Sequence, residues 1–252
     1  MEMLTEERHK KIMDLLNQES IVKSQELSDL LNASESTIRR DLQELEKAGM
    51  LERVHGGAKI KSDLGSEQSM NEKSIKNIQE KQLLGKAAAE VVNDGDVIYL
   101  DAGTTTLEMI PYLTGKDVTA VTNSVHHAAQ LIDLNINTII LGGTLKLSTK
   151  AIIGSTSMEQ LKQFRFNKVF MGMNGIHPDF GLTTPDPEEA ALKRLAIQHA
   201  EQAFVLADHS KLNKVSFTKV VDVEHVILLV DYCPKELLKE LQQKTIIKEV
   251  AK

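Results

Sequence analysis

A chain of 252 residues is long enough for a small head and one larger domain with its own core. Hydrophobic residues make up 41%, charged residues 26%, and the net charge is −6, an ordinary composition for a soluble globular protein that gives no reason to expect membrane binding. No apolar run approaches the ~20 residues of a membrane span, and the stretch MEMLTEERHKK lacks the apolar core of a signal peptide, so a cytoplasmic protein is expected. The single cysteine, Cys233, excludes an intramolecular disulfide and, beside Pro234, reads as a buried filler.

The first sixty residues carry a recognisable plan. Thr5 can cap a helix over Glu6 to about Glu19, with Ile12, Leu15 and Leu16 facing inward. Ile21-Val22 is an extended link, and Ser24 then caps a helix from Gln25 to Leu31 with Leu27, Leu30 and Leu31 apolar. Only Asn32-Ala33 separates it from Ser34, a good N-cap for a third helix. In that helix Ile38, Leu42 and Leu45 form one apolar stripe, and Gly49 is expected to end it. The opposite side presents Ser36, Arg40, Gln43 and Lys47, flanked by Thr37 and Arg39. Leu51–Val54 and Ala58–Ile60 are short strands joined by His55-Gly56-Gly57. Three helices and a β-wing make a winged helix-turn-helix, a shape that reads nucleic acid. Arginine suits bidentate contact with guanine edges or phosphate, which a solvated face in a mere interaction bundle would not need.

The block ASESTIRRDLQELEKAGMLERVHGGA, with its arginine pair before Asp-Leu and its His-Gly-Gly-Ala wing, resembles the DeoR family of bacterial transcriptional regulators. Within that family the chain looks most like repressors of fructose-utilisation operons, and the resemblance extends through the rest of the chain. It implies an operator-binding head using Ser34, Ser36, Thr37, Arg39, Arg40 and Gln43, with Arg53, His55, Gly56 and Gly57 at the backbone or minor groove. The head is not basic: residues 1–60 hold nine Lys/Arg against twelve Asp/Glu, net −3. Most acids precede the third helix, whereas Arg39, Arg40, Arg53, Lys59 and Lys61 lie on or after it, so the electrostatic footprint is local and non-specific affinity modest.

Residues 61–79 are polar and without a sustained apolar period, and read as a linker, with room for one helical turn. From residue 80 to 252 helical stretches alternate with short apolar runs. Strands are expected at Val97–Leu100, Val118–Val121, Thr138–Leu141, Lys168–Met171, Ala203–Leu206 and Val226–Val230, with Thr245–Val250 an edge strand. Helices are expected at Thr105–Leu113, Val125–Leu134, Thr156–Gln163 and Pro187–Glu201. This alternation predicts an α/β domain with a mainly parallel sheet covered on both faces. Ligands of such sheets bind outside the carboxyl ends of the strands. Five polar or glycine-rich turns fall there: Asp101-Ala102-Gly103-Thr104-Thr105-Thr106, Thr122-Asn123-Ser124, Gly142-Gly143-Thr144, Gly172-Met173-Asn174-Gly175 and Asp208-His209-Ser210-Lys211. Each alone reads as a turn or a helix cap. Together they outline a pocket for a phosphorylated, hydroxyl-rich ligand, with Lys211 and then Lys193 neutralising the phosphate. Pro178, Pro185 and Pro187 stiffen a loop expected to cover the sugar, Asp186 and Glu189 accepting from its hydroxyls.

This domain also resembles the DeoR effector-sensing domain, itself similar to ribose-5-phosphate isomerase. Gly103-Thr104-Thr105-Thr106 and Asp208-His209-Ser210-Lys211 match the isomerase's phosphate loop and its later Asp-x-Ser-Lys. Two motifs depart: Gly172-Met173-Asn174-Gly175 stands where the isomerase is acidic, and Leu195 where it holds its catalytic glutamate. Leucine cannot serve as the base that enediol isomerisation needs. The binding parts survive without the chemistry, although Glu188 and Glu189 lie near enough to keep an enzyme reading open. No Cys/His/Asp spacing suggests a metal, no Walker loop or dinucleotide fingerprint appears, and no cofactor is expected; His126-His127 reads as a helical pair with one ring toward the pocket.

The leading expectation is thus a non-enzymatic repressor, released from operator DNA by a sugar phosphate. Resemblance to the fructose-operon repressors implies fructose 1-phosphate as that effector. One head covers a short half-site, so a homodimer or larger assembly is expected. The alternatives are a DNA-tethered sugar-phosphate isomerase and an architectural protein that binds no small ligand.

Overall fold

The computed structural model describes residues 3–19, 21–48, 50–60, 64 and 69–250. The chain divides into two compact units, Met1–Asp63 and Leu64–Lys252.

The first unit contains α1 (Thr5–Glu19), β1 (Ile21–Lys23), α2 (Ser24–Leu31), α3 (Glu35–Lys47), β2 (Leu51–Val54) and β3 (Gly57–Ile60). The apolar periodicity dictates its core: Ile12, Leu16, Leu27, Leu31, Ile38, Leu42 and Leu45 from the helices close over Val22, Leu51 and Ala58. Of the apolar residues of α2, Leu27 and Leu31 are buried and Leu30 is 66% exposed. Ile21–Lys23, expected as a link, is a strand that pairs antiparallel with β3, so the wing sheet has the order β1-β3-β2. The helix ends at Lys47 with Ala48 as its cap, and Gly49 lies outside the described residues.

Beneath the core sits an ion pair that spacing does not reveal. Arg8 of α1 donates from Nε to Asp41 Oδ2 at 2.5 Å and from Nη2 to Oδ1 at 2.9 Å, and His9 Nε2 approaches the same carboxylate at 3.1 Å. Asp41 is 2% exposed. Asp41→Ala would remove the carboxylate of this buried pair, leaving Arg8 with neutral acceptors such as Met3 O at 3.0 Å, and the head is expected to lose about 3 kcal/mol of stability. Chemical denaturation checks this, and an unchanged midpoint would contradict it.

The second unit contains α4 (Met70–Ser74), α5 (Ile78–Glu90), β4 (Val97–Leu100), α6 (Thr104–Leu107), β5 (Thr119–Thr122), α7 (Val125–Asp133), β6 (Asn137–Ile140), β7 (Thr144–Leu145), β8 (Ile152–Ile153), α8 (Ser155–Leu161), β9 (Phe166–Gly172), β10 (Gly175–His177), β11 (Gly181–Thr184), α9 (Pro187–Gln198), β12 (Ala200–Ala207), β13 (Thr218–Val221), β14 (Ile227–Val230), α10 (Lys235–Gln242) and β15 (Ile247–Glu249). Seven strands form one parallel sheet in the order β15-β14-β12-β9-β4-β5-β6. Successive side chains of each strand go to opposite faces. Tyr99, Val121, Val169, Met171 and Val205 join one core, while Ile98, Leu100, Ala120, Phe170, Phe204 and Leu206 join the other. Both faces are therefore covered, as an all-parallel sheet requires. Strand β6 lies at the edge, which leaves Ile139 and Ile140 partly exposed.

Two expectations change. Of the stretch expected as a linker, described residues 69–79 are folded: α4 lies in the second unit, Met70 is buried, its amide donates to Ser148 O at 3.0 Å, and α5 begins at Ile78. Five helical residues are too few to leave a periodic signal. Residues 181–184 are not a covering loop but the central strand of a small antiparallel sheet, β10-β11-β13.

Candidate functional site

In the head, α3 is built to present its polar face. Ser34 Oγ accepts from Thr37 N at 3.2 Å, capping the helix, and is hydrogen-bonded to the hydroxyls of Ser36 and Thr37 at 2.8 Å each. With Ile38, Asp41, Leu42 and Leu45 buried, Ser36, Arg39, Arg40 and Gln43 stand exposed and Thr37 is half-buried. The Arg40 side chain is 81% exposed, with Glu44 at 3.6 Å from its Nε. Arg53 is exposed on β2, its amide held by Glu46 Oε1 at 3.0 Å, and His55-Gly56 forms the exposed wing tip. Gly56 takes a φ of +82°, where glycine carries no steric penalty. Gly57, expected to contact DNA with them, is buried: a Cβ there would lie 2.0 Å from Val22 O, so its place is the β1–β3 pairing.

In the second unit the expected residues do gather at the carboxyl ends of the parallel strands, though many are already committed to one another. The chain leaves β4 toward β5 and β6, then returns to build the other half of the sheet from β9, so the direction reverses between β4 and β9. That is where a crevice opens in such folds. At that point Gly103 and Gly172 meet, close enough that a Cβ on either would contact the other's Cα. Below them Lys193 of α9 donates its ammonium to Asp101 and, at 3.0 Å, to Gly172 O. Lys193, expected as a phosphate cation, is thus the buried counter-ion of Asp101.

The neighbouring turn is also internally bonded. Thr106 Oγ1 donates to Asp101 O at 2.6 Å and meets His127 Nε2 at 3.1 Å, while His127 Nδ1 meets Ser124 Oγ at 2.8 Å. Asn123 accepts from Ala102 N at 3.1 Å and donates to Ile152 O at 3.2 Å, bracing two turns rather than facing a pocket freely. Gly142 donates its amide to Gln160 Oε1 at 2.7 Å, and Gly143 packs against Ser157 and Ile153. Asn174 Oδ1 accepts from Thr184 Oγ1 at 3.1 Å. Asp186 caps α9, accepting from the amides of Glu188 and Glu189, and pairs with Lys146 at 2.7 Å. Glu189 accepts from Lys146 at 3.0 Å and Thr149 at 2.8 Å. Lys146 and Thr149 leave no mark in the sequence, because nothing in a lysine or threonine of an irregular stretch marks its partner.

Burial lowers the His127 imidazole to about 4, the nearby Asp101 carboxylate opposing this only in part. An unfolded chain would titrate near 6.5, so stability held above that value drains away as pH falls toward 4. The loss is expected to reach about 3 kcal/mol. Urea midpoints of the wild type and His127→Gln between pH 7 and 4.5 check this: the variant should lack that component. Equal slopes would remove His127 as its source.

The end of β12 gathers several buried or half-buried charged groups. Asp208 is 1% exposed and accepts from Asn77 Nδ2 at 2.8 Å and Ser210 N at 3.0 Å. Burial would raise its carboxyl, but Lys211 and the hydrogen bonds from Ser210 and Asn77 hold it below the usual aspartate value. Lys211, Lys214 and Lys81 surround it, and burial lowers all three ammonium groups, with Asp208 offsetting part of the effect. Lys81 is buried on α5 and donates to Lys73 O. His209 pairs with Asp231 of the next strand end at 2.7 Å. Leu195, by contrast, packs against the apolar core.

The two units match two family descriptions: residues 8–63 a DeoR-like helix-turn-helix domain, and residues 76–231 a DeoR C-terminal sensor domain. The chain belongs to the DeoR family of transcriptional regulators. A DeoR-family relative, the uncharacterized HTH-type transcriptional regulator FruR of Bacillus subtilis, is 47% identical over 249 residues, covering 98% of this chain and 99% of the relative. The lactose phosphotransferase system repressor of Staphylococcus epidermidis is 33% identical over 224 residues, covering 87% and 89%. Among solved structures, ribose 5-phosphate isomerase A from Methanocaldococcus jannaschii is 20% identical with a TM-score of 0.41, covering 54% of this chain and 55% of that one. Among the described residues of this DeoR-family chain, no helix is long and apolar enough to cross a membrane, and no group of three metal-ligating side chains occurs.

Proposed function

We propose that this DeoR-family regulator represses a sugar-utilisation operon, that of fructose in particular, and leaves its operator when fructose 1-phosphate occupies the sensor domain. The observation that carries the reading is the group of ammonium ions at the end of β12. Lys81, Lys211 and Lys214 crowd one buried carboxylate, Asp208, and none of the three has an acidic oxygen within 4.0 Å among the described residues. The three positive groups repel one another more than Asp208 alone offsets, so the cluster favours an added anion of charge greater than one. A phosphate monoester supplies it, and the Gly103–Thr105 turn lies toward the central crevice nearby in the sheet order.

The fructose assignment is supported by the likeness of the Ala33–Ala58 block to fructose-operon repressors and by the identity with FruR; repression is supported by the relative named as a repressor. Operator contacts fall to Ser36, Thr37, Arg39, Arg40 and Gln43 in the major groove, with Arg53 and the wing tip at the backbone. The working form is a cytoplasmic homodimer or larger assembly. The sensor domain does not isomerise its ligand, since Leu195 stands among apolar residues and Glu189 is held by Lys146 and Thr149.

Calorimetric titration with fructose 1-phosphate, fructose 6-phosphate, ribose 5-phosphate and free fructose tests the effector assignment. Tightest binding of fructose 1-phosphate, with no turnover of any of the phosphates, is expected. Preference for another sugar phosphate would replace the named effector, and turnover would overturn the non-enzymatic reading.

A further inference from the structure

The segment from Ser69 to Asn77 follows the head in the chain, and it folds onto the phosphate end of the sensor domain. Ser69 caps α4, accepting from Glu72 N at 3.3 Å, while Glu72 accepts from the Ser69 amide at 2.8 Å. Met70 is buried and its amide is bonded to Ser148 O. At the other end of this segment Asn77 adopts a left-handed φ of +51° and reaches Asp208, 131 residues away, with its side-chain amide. The carbonyl of Lys73 receives the Lys81 ammonium. Lys73 and Lys76 therefore stand beside the cations of the β12 end: both bear electrostatically on Lys211, and Lys76 also on Lys214. Lysines from two stretches of chain, 73–81 and 211–214, are thus gathered around Lys211 and the buried Asp208. The Lys76 side chain is exposed, without a hydrogen bond or ion pair among the described residues.

We propose that Lys76, with Lys73, forms a second wall of the anion site, so that a bound phosphate clamps the Ser69–Asn77 segment onto the 208–214 turn. This rests on the effector reading above and adds the route by which occupancy reaches DNA. A dianion held between Lys211 on one side and Lys76 on the other cancels the repulsion between the two lysine groups. It thereby orders the stretch of chain that leads to the head. Coupling of this kind requires only that the clamped and released arrangements of one segment differ in their affinity for the anion.

Amide hydrogen exchange of the full chain, with fructose 1-phosphate and with inorganic phosphate as probes, reads the clamp directly. Both anions should slow exchange in residues 69–77 together with 208–214. Lys76→Ala should bind fructose 1-phosphate about tenfold more weakly and lose the protection at 69–77, and Lys76→Arg should restore both. Protection confined to 101–106 and 208–214, with the alanine variant binding as tightly as the wild type, would overturn the clamp while leaving the effector reading standing. Protection of 69–77 by inorganic phosphate but binding of no sugar phosphate would keep the clamp and remove the effector. If neither anion binds, both fall.

Discussion

Arg40→Ala is expected to weaken operator binding by roughly ten- to a hundredfold at fixed salt, from about 1–3 kcal/mol for a bidentate contact to a base edge. The fold should be untouched. The guanidinium is 81% exposed and pairs with Glu44 at 3.6 Å, one turn along the same helix, an arrangement worth little to stability. Arg40→Lys should recover little of the loss if the contact is a planar two-point one, because an ammonium cannot reproduce the fork. Thermal melting and binding of the sugar phosphate serve as controls, and both should match the wild type. Wild-type operator affinity in the alanine variant would show that α3 does not read the DNA through this face.

Lys211→Ala should do the reverse. Its operator affinity should equal that of the wild type, whereas the sugar phosphate should bind at least about a hundredfold more weakly, corresponding to about 3 kcal/mol for losing one partner of a desolvated charge pair. The direction follows from the surroundings of Asp208. Burial and the neighbouring Lys73, Lys76 and Lys214 all depress the Lys211 ammonium, and Asp208 alone supports it. An incoming phosphate adds the missing negative charge. Lys193→Ala would be a misleading substitute, since it unpairs the buried Asp101 and would destabilise the domain rather than report on ligand. A normal release from DNA in Lys211→Ala would take this residue out of the phosphate site.

The features legible in the sequence are those with a local cause. A stripe at Ile38, Leu42 and Leu45 fixes which side of α3 is free, and Ser34 before it fixes where the helix begins. Continuous apolar runs such as Val97–Leu100 mark strands buried on both faces, and the turns that follow them lie at one end of the sheet because parallel strands all point the same way. The illegible features depend on partners far apart in the chain. Lys193 and Asp101 are separated by 92 residues, Asn77 and Asp208 by 131, and Arg8 and Asp41 by 33. No spacing rule distinguishes a lysine that meets a ligand from one that meets an aspartate. Two strand expectations missed for a related reason: Ile21–Lys23 and Gly181–Thr184 are only three and four residues long, and their pairing partners, not their own pattern, make them strands. Helix α4 shows in the sequence as no more than room for one turn, because its single buried side chain, Met70, sets no period.

The central claim is that a sugar phosphate bound in the second unit lowers the affinity of the first for DNA. Fluorescence anisotropy of the full chain on its own upstream promoter DNA, at fixed salt and titrated with fructose 1-phosphate, tests it most directly. Fructose 6-phosphate, ribose 5-phosphate and free fructose are the controls. Fructose 1-phosphate alone is expected to release the DNA, at concentrations where the controls have no effect. Tight operator binding that no sugar phosphate alters would contradict it.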